Sequence, residues 1–239
     1  MPDRSGTPSP SLQTDMSNDR DLALAALRRS QWLNAETEGL AELLVAEGAL
    51  RWRQPGDWLH GQGDPEGGVT FIIEGSADLF GHLSDEKSLC LAHAKAGMAW
   101  GMASQLGAGV RLTTAICAEP SLVLHVSDLA LKRIAWLRPE IWGAVNTLLY
   151  RQLGQLVKWI LELLALPPRA RIAARLLAMM PYDRQAEVFS LSQQDFAEMI
   201  GLTRKTVSLH LGRLHDEGVL KLEYGRIHVL DRRGLEAVL

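Results

Sequence analysis

A chain of 239 residues that is 47% hydrophobic can build one large core or two ordinary ones, and its formal charge of -3 is unevenly spread: residues 167–239 hold 11 Lys+Arg against 9 Asp+Glu, and residues 1–166 hold 14 against 19. So small a basic excess does not bind phosphate by charge alone, which leaves any nucleic-acid reading to pattern. Two cysteines exclude a disulfide scaffold, a four-thiolate zinc site and a cysteine-ligated cluster; with no apolar run long enough for a bilayer and no export signal, a cytoplasmic protein with no membrane partner is expected.

Residues 1–20, MPDRSGTPSPSLQTDMSNDR, carry almost nothing apolar to offset the entropy of ordering and read as a disordered tail. From Asp21 to Gly48, Leu22, Leu24, Ala25, Leu27, Leu40, Leu43 and Leu44 recur at helical spacing around a break near Trp32, which predicts two short helices. Between Ala49 and Val126 the pattern changes to the extended runs ALRWR, DWLH, VTFIIE, ADLFGHL, SLCLAHA, LTTAICA and LVLHV, parted by PGD, GQGDPEGG, EGS and SDEK turns. Short strands with tight turns predict a small barrel or sandwich, placing an N-terminal domain over residues 21–137.

A long helix is expected over residues 138–166, ended by Pro167 and Pro168, which cannot donate the next helical hydrogen bonds. Within it Trp142, Asn146, Leu149, Leu153, Leu156, Ile160 and Leu163 alternate spacings of four and three, the stripe of a coiled-coil seam. A second stripe, Ile141, Val145, Leu148, Val157, Trp159 and Leu164, runs beside it. A helix apolar on two sides needs burial on both, so one side is expected on its own domain and the other on a second copy of the chain, with Asn146 setting register.

The stretch LSQQDFAEMIGLTRKTVSLHLGRL, residues 191–214, has the punctuation of a helix-turn-helix. Ser192 and Asp195 form a capping box, Gly201 suits the turn, and Thr203 caps the second helix. Val207, Leu211 and Leu214 face inward, leaving Lys205, Ser208, Leu209 and Arg213 outward and Arg204 at the exposed start, the form that enters a major groove. VLKLE and RIHVL then make a hairpin wing around Tyr224 and Gly225 within a DNA-binding domain at 167–239. The residues expected to face DNA are Ser192, Gln193, Thr203, Arg204, Lys205, Thr206, Ser208, Leu209, Arg213 and Arg226.

Barrel, long helix and winged helix in this order resemble the Crp/Fnr superfamily of bacterial transcription regulators. The likeness rests on PGDWLHGQGDPEGGVTFIIEGSADLF in the first half and on LPPRARIAARLL and LTRKTVSLHLGRL in the second. It implies an α+β architecture with a jelly-roll-like β-roll, a dimerisation helix and a winged helix-turn-helix. It further implies a homodimer on a near-palindromic double-stranded operator, with RNA polymerase as a further partner. Arg204 matches the family position that contacts a guanine; Lys205 and Leu209 depart from the family's acid and arginine, which implies a different operator.

The effector pocket departs further. Nucleotide-binding members carry a Gly-Glu pair for the ribose and an Arg followed by Ser or Thr for the cyclic phosphate. Here Met102 follows Gly101, Leu112 follows Arg111, and Leu156 and Val157 stand where hydroxyl residues meet the base. At about 1–3 kcal/mol for each polar group left unpaired, this pocket is expected to reject cyclic AMP. Arg111 then either receives another anion or pairs with an acidic side chain. His82, His93, His125, Cys90 and Cys117 lie among the strands, where a haem or metal ligand is conceivable, yet isolated strand residues of these types are ordinarily structural and no cofactor or metal is predicted.

The function expected is thus a homodimeric DNA-binding regulator whose effector is unknown and is not cyclic AMP. Two alternatives stand beside it: a regulator holding a cyclic nucleotide in altered geometry, and a ligand-binding regulatory subunit acting on a protein partner. An enzyme is not expected, since no paired carboxylates, phosphate-binding glycine loop or metal-ligand cluster is present.

Overall fold

The computed structural model describes residues 10–30, 32–33, 39–65, 67–84, 87–101, 109–180, 185–189 and 191–239. The chain divides into two compact units, one of residues 1–82 with 92–151 and one of residues 83–91 with 152–239.

The first unit opens with two helices, α1 (Pro10–Arg29) and α2 (Leu40–Glu47). Helix α1 begins nine residues into the segment expected to be a disordered tail, and two local features accompany it. Proline is well placed to start a helix, its fixed φ being pre-set and its missing N–H not needed there. Further along, Ala23 and Leu27 are buried in the core, and Asp19 accepts a hydrogen bond from Trp52 Nε1 at 3.1 Å. The first nine residues of that expected tail lie outside the described residues.

The strands are β1 (Ala49–Arg53), β2 (Trp58–His60), β3 (Gly68–Glu74), β4 (Ser76–Ser84), β5 (Lys87–Lys95), β6 (Ala99–Trp100), β7 (Thr114–Cys117) and β8 (Ser121–Ser127). They form two four-stranded sheets, β1-β8-β3-β6 and β2-β7-β4-β5, the β-roll that was expected. The antiparallel partnership of β3 and β8 organises it, with Val69 opposite Val126 and Phe71 opposite Leu124. Both strands are buried on both faces, and the two-residue period divides their side chains between two cores. Val69, Phe71, Ile73, Leu122, Leu124 and Val126 pack with the helices. Ile72 and Val123 point the other way, into a smaller cluster with Ala77, Trp100, Ala115 and Cys117.

Helix α3 (Asp128–Leu137), capped by Ser127, follows β8 and was not foreseen. Helix α4 (Ile141–Ala165) is the long helix, and it stops before the two prolines. Its first turns bury Ile141, Ala144, Val145 and Leu148 in the helix-facing core, which accounts for the start of the second stripe.

The second unit continues from Gln152 through α5 (Pro168–Met179), β9 (Glu187–Phe189), α6 (Gln193–Met199), α7 (Arg204–Asp216), β10 (Leu220–Glu223), β11 (Arg226–Val229) and α8 (Arg232–Glu236). The predicted hairpin is the outer part of a three-stranded sheet, β10-β11-β9, because Phe189 on β9 pairs with Ile227 and reaches the core. Ile172, Leu176, Phe196, Val207, Leu211, Leu214, Ile227 and Leu235 close that core. Among the described residues no helix is long and apolar enough to cross a membrane.

Candidate nucleic-acid interface and effector pocket

Helices α6 and α7 are set by their caps. The Ser192 hydroxyl accepts from the Asp195 N–H at 3.1 Å and donates to the Asp195 carboxylate at 2.6 Å, so the predicted capping pair is present. Thr203 Oγ1 accepts from the Thr206 N–H at 3.1 Å and lies 2.9 Å from Thr206 Oγ1. The chain turns between the helices at Gly201, where φ is +64°, a value most side chains resist. Phe196, Ala197 and Ile200 of the first helix meet Val207 and Leu211 of the second in the core.

What remains outside is the face expected to read bases. Arg204, Lys205, Ser208, Leu209 and Arg213 are all exposed on α7, and Arg226 is exposed at the start of β11. Gln193 and Thr206 are half-buried, and the hydroxyls of Ser192 and Thr203 are engaged in capping. Among the described residues Arg204, Lys205, Arg213 and Arg226 make no ion pair or side-chain hydrogen bond, whereas Arg169 pairs with Glu217 and Arg232 with Glu236 close by. Left uncommitted within the chain, these four are available to phosphate or a guanine edge. Tyr224, placed from the sequence only as part of the wing's turn, is fully exposed at its tip.

Along α4 the seam residues separate into two groups. Trp142 and Leu149 lean against the core of the first unit, and Asn146 is exposed. Further on, Leu153, Leu156 and Ile160 are 56%, 47% and 46% exposed, joined by Val157, Leu161 and Leu164, while Leu163 is half-buried. This many bare apolar side chains on one helix is an unmet demand for burial.

In the β-roll, Arg111 is only 6% exposed, and it makes two contacts that its sequence neighbours do not announce. Its Nη1 donates to the backbone carbonyls of Gly68 at 2.9 Å and Gly101 at 3.1 Å. Its own backbone is clipped to the preceding loop, its N–H donating to Asp64 and its carbonyl accepting from Gly63, both at 2.9 Å. Gly101 makes this approach possible: φ is +99°, and a Cβ built there would lie 1.9 Å from Nη1. Leu112, the next residue, is 74% exposed. Met102 lies outside the described residues, and Leu156 and Val157 belong to the second unit.

Sequence reasoning passed over His60, which is 9% exposed beside Arg111. Burial first, and the Arg111 charge second, lower its pKa to about 4, against opposition from Asp64. Its Nδ1 and the Trp100 Nε1 are both buried without a hydrogen-bond partner, their rings 6.3 Å apart. Folded His60 therefore resists protonation that the unfolded chain accepts below about pH 6.5. The unfolded state binds more protons between those values, so stability falls as pH drops from 6.5 through 4, by about 3 kcal/mol in full. Denaturant titrations at pH 7 and pH 5 check this: His60→Gln is expected to flatten the difference, and an unchanged difference would assign the acid sensitivity elsewhere.

The three histidines singled out among the strands have local partners. His93 Nδ1 sits 2.6 Å from Asp78, His82 Nε2 2.9 Å from Thr114 Oγ1, and His125 Nδ1 3.1 Å from Thr70 Oγ1. Neither cysteine is in a disulfide, and burial raises the pKa of the Cys117 thiol. Among the described residues no three His, Cys, Asp or Glu side chains gather as a metal site.

A β-roll, a long helix and a capped winged helix-turn-helix make up the architecture of a two-module transcription regulator. The profile of the cyclic nucleotide-binding domain matches residues 50–135 and that of the Crp-like helix-turn-helix domain matches residues 170–238; the chain belongs to the Crp/Fnr superfamily. No curated protein sequence matches it. Solved structures share its fold. FixK2 from Bradyrhizobium japonicum is 21% identical, with a TM-score of 0.66 over 80% of this chain and 96% of that one. A CRP/FNR-family transcriptional regulator from Thermus thermophilus is 23% identical, with a TM-score of 0.63 over 80% and 97%. The c-di-GMP responsive global regulator CLP of Xanthomonas campestris is 20% identical, with a TM-score of 0.63 over 80% and 98%.

Proposed function

We propose that this protein is a sequence-specific, double-stranded DNA-binding regulator of transcription, acting in the cytoplasm as a homodimer on a near-palindromic operator and answering to something other than cyclic AMP. The observation that carries it is the outer face of α7, where Arg204, Lys205 and Arg213 stand exposed and uncommitted, with Arg226 on the wing. Arginine can engage O6 and N7 of guanine together, and the remaining cations suit phosphate. The half-exposed row Leu153, Leu156, Ile160 supports the dimer, since the same row on a second copy would cover it and place two recognition helices on two half-sites.

The effector reading rests on Arg111. A guanidinium that already donates to two backbone carbonyls has fewer donors left for a cyclic phosphate, and an exposed leucine follows it in place of a hydroxyl. A neighbour of the same fold is described as responsive to c-di-GMP, a precedent for this architecture serving another signal. Binding by the wild type and by Arg204→Ala to a duplex selected from a random-sequence pool tests the DNA reading. Arg204→Ala is expected to cost about 1–3 kcal/mol on that duplex and to relax selection at one position of each half-site. Undiminished discrimination would remove Arg204 from base recognition.

A further inference from the structure

Helix α5 carries two arginines one turn apart, Arg171 and Arg175, whose side chains run inward among the elements of the second unit. Arg171 donates from Nη2 to the Leu166 carbonyl just past α4, at 3.0 Å, and from Nη1 to the Ile200 carbonyl at the end of α6, at 3.3 Å. Arg175 is more unusual. Its Nη2 donates to the Leu91 carbonyl at 2.6 Å, its Nε points at the Met199 sulfur at 3.2 Å, and its guanidinium lies over the Trp159 ring at 4.9 Å from the centroid. Leu91 belongs to the short segment of β5 that falls within this unit, Met199 to α6 and Trp159 to α4. One half-buried side chain thus joins three elements to α5.

The three contacts use the guanidinium in different directions. Two donors act in its plane and the ring takes its face, so the group cannot rotate to improve one contact without spoiling another. Burial works against its charge, and Glu162 and Cys90 are the neighbours that favour it. An apolar side chain of similar size would fill the space and let α6 slide on α4; the fork does not.

We propose that Arg175 is a positioning residue for operator recognition, fixing the angle at which the helix-turn-helix is carried by α4. This rests on the DNA-binding reading above and adds to it a determinant of half-site spacing. A dimer gains over a single module only when both modules reach their half-sites together, and a loosened joint loses that gain while each recognition helix keeps its own contacts.

The test uses the full-length chain and three duplexes built from the sequence the wild type selects out of a random pool: the full site, a single half-site, and the full site with its centre lengthened by about two base pairs. The wild type is expected to prefer the full site strongly and to reject the lengthened one. Arg175→Ala is expected to bind the half-site as the wild type does, to lose at least about tenfold of its full-site preference, and to tolerate the lengthened centre. Arg175→Lys, which keeps the charge without the fork, falls between. Met199→Leu, conserving volume but removing the sulfur, moves the spacing profile in the same direction by a smaller factor. A wild-type spacing profile in Arg175→Ala overturns the proposal, as does an equal loss on half-site and full site, which would assign the residue to folding alone. A wild-type chain that selects no sequence overturns the DNA reading itself, and the positioning role with it.

Discussion

Replacing Leu156 and Ile160 together by Asp is expected to make the protein a monomer without unfolding it and to lower its affinity for a two-half-site duplex by about 10²–10⁴-fold. Both side chains are about half exposed within one chain, so charge there removes little internal packing. The same charges would have to be buried against their own copies in a coiled-coil seam, where an unpaired carboxylate is not tolerated. Sedimentation checks the mass, thermal unfolding the fold, and a mobility shift the affinity. A dimer that persists with unchanged affinity would place the interface elsewhere.

The second large effect is expected at Gly101. Gly101→Ala adds a Cβ at a φ of +99°, itself a cost of about 1–3 kcal/mol, and sets it against Arg111 Nη1 and the Gly68 carbonyl. Relieving that clash means withdrawing the guanidinium from both carbonyls and leaving buried acceptors unpaired, so the loss of stability exceeds the backbone cost alone. Gly109→Ala is the control, since φ is +96° there and nothing lies within 4 Å of the added atom. Denaturant midpoints are expected to fall much further for Gly101→Ala than for Gly109→Ala. Equal falls would mean that Arg111 does not act as a clamp.

These two cases show where sequence is informative. The α7 face was legible because Val207, Leu211 and Leu214 recur at the helical period, and that period alone sends Arg204, Lys205 and Arg213 outward. The apolar stripe of α4 was legible for the same reason, though not the point near Tyr150 beyond which its side chains are bare, because that depends on where the core of the first unit ends. Helix α3 escaped because Leu129, Trp136 and Leu137 are exposed and blur its apolar stripe. Strand β6 is two residues long, too short for any period, and β9 is three.

The fate of Arg111 was not legible, since its acceptors are backbone carbonyls that no residue type announces. The roll supplies the carbonyls of two glycines, Gly68 and Gly101. Arg175 was hidden for a related reason: a cation on a helix reads as solvated, and its partner Leu91 is 84 residues away. Charge and period locate the exposed cationic face of α7; the joints behind it are made by polar groups whose partners are set only once the chain is folded.

The most direct measurement is selection of duplexes from a random-sequence pool by the wild-type chain, with no cyclic nucleotide added, followed by binding of the selected duplex across a salt series with and without cyclic AMP. The predicted result is a near-palindromic sequence whose affinity falls steeply with salt and does not change when cyclic AMP is present. Recovery of no sequence, or binding that begins only when cyclic AMP is supplied, would contradict it.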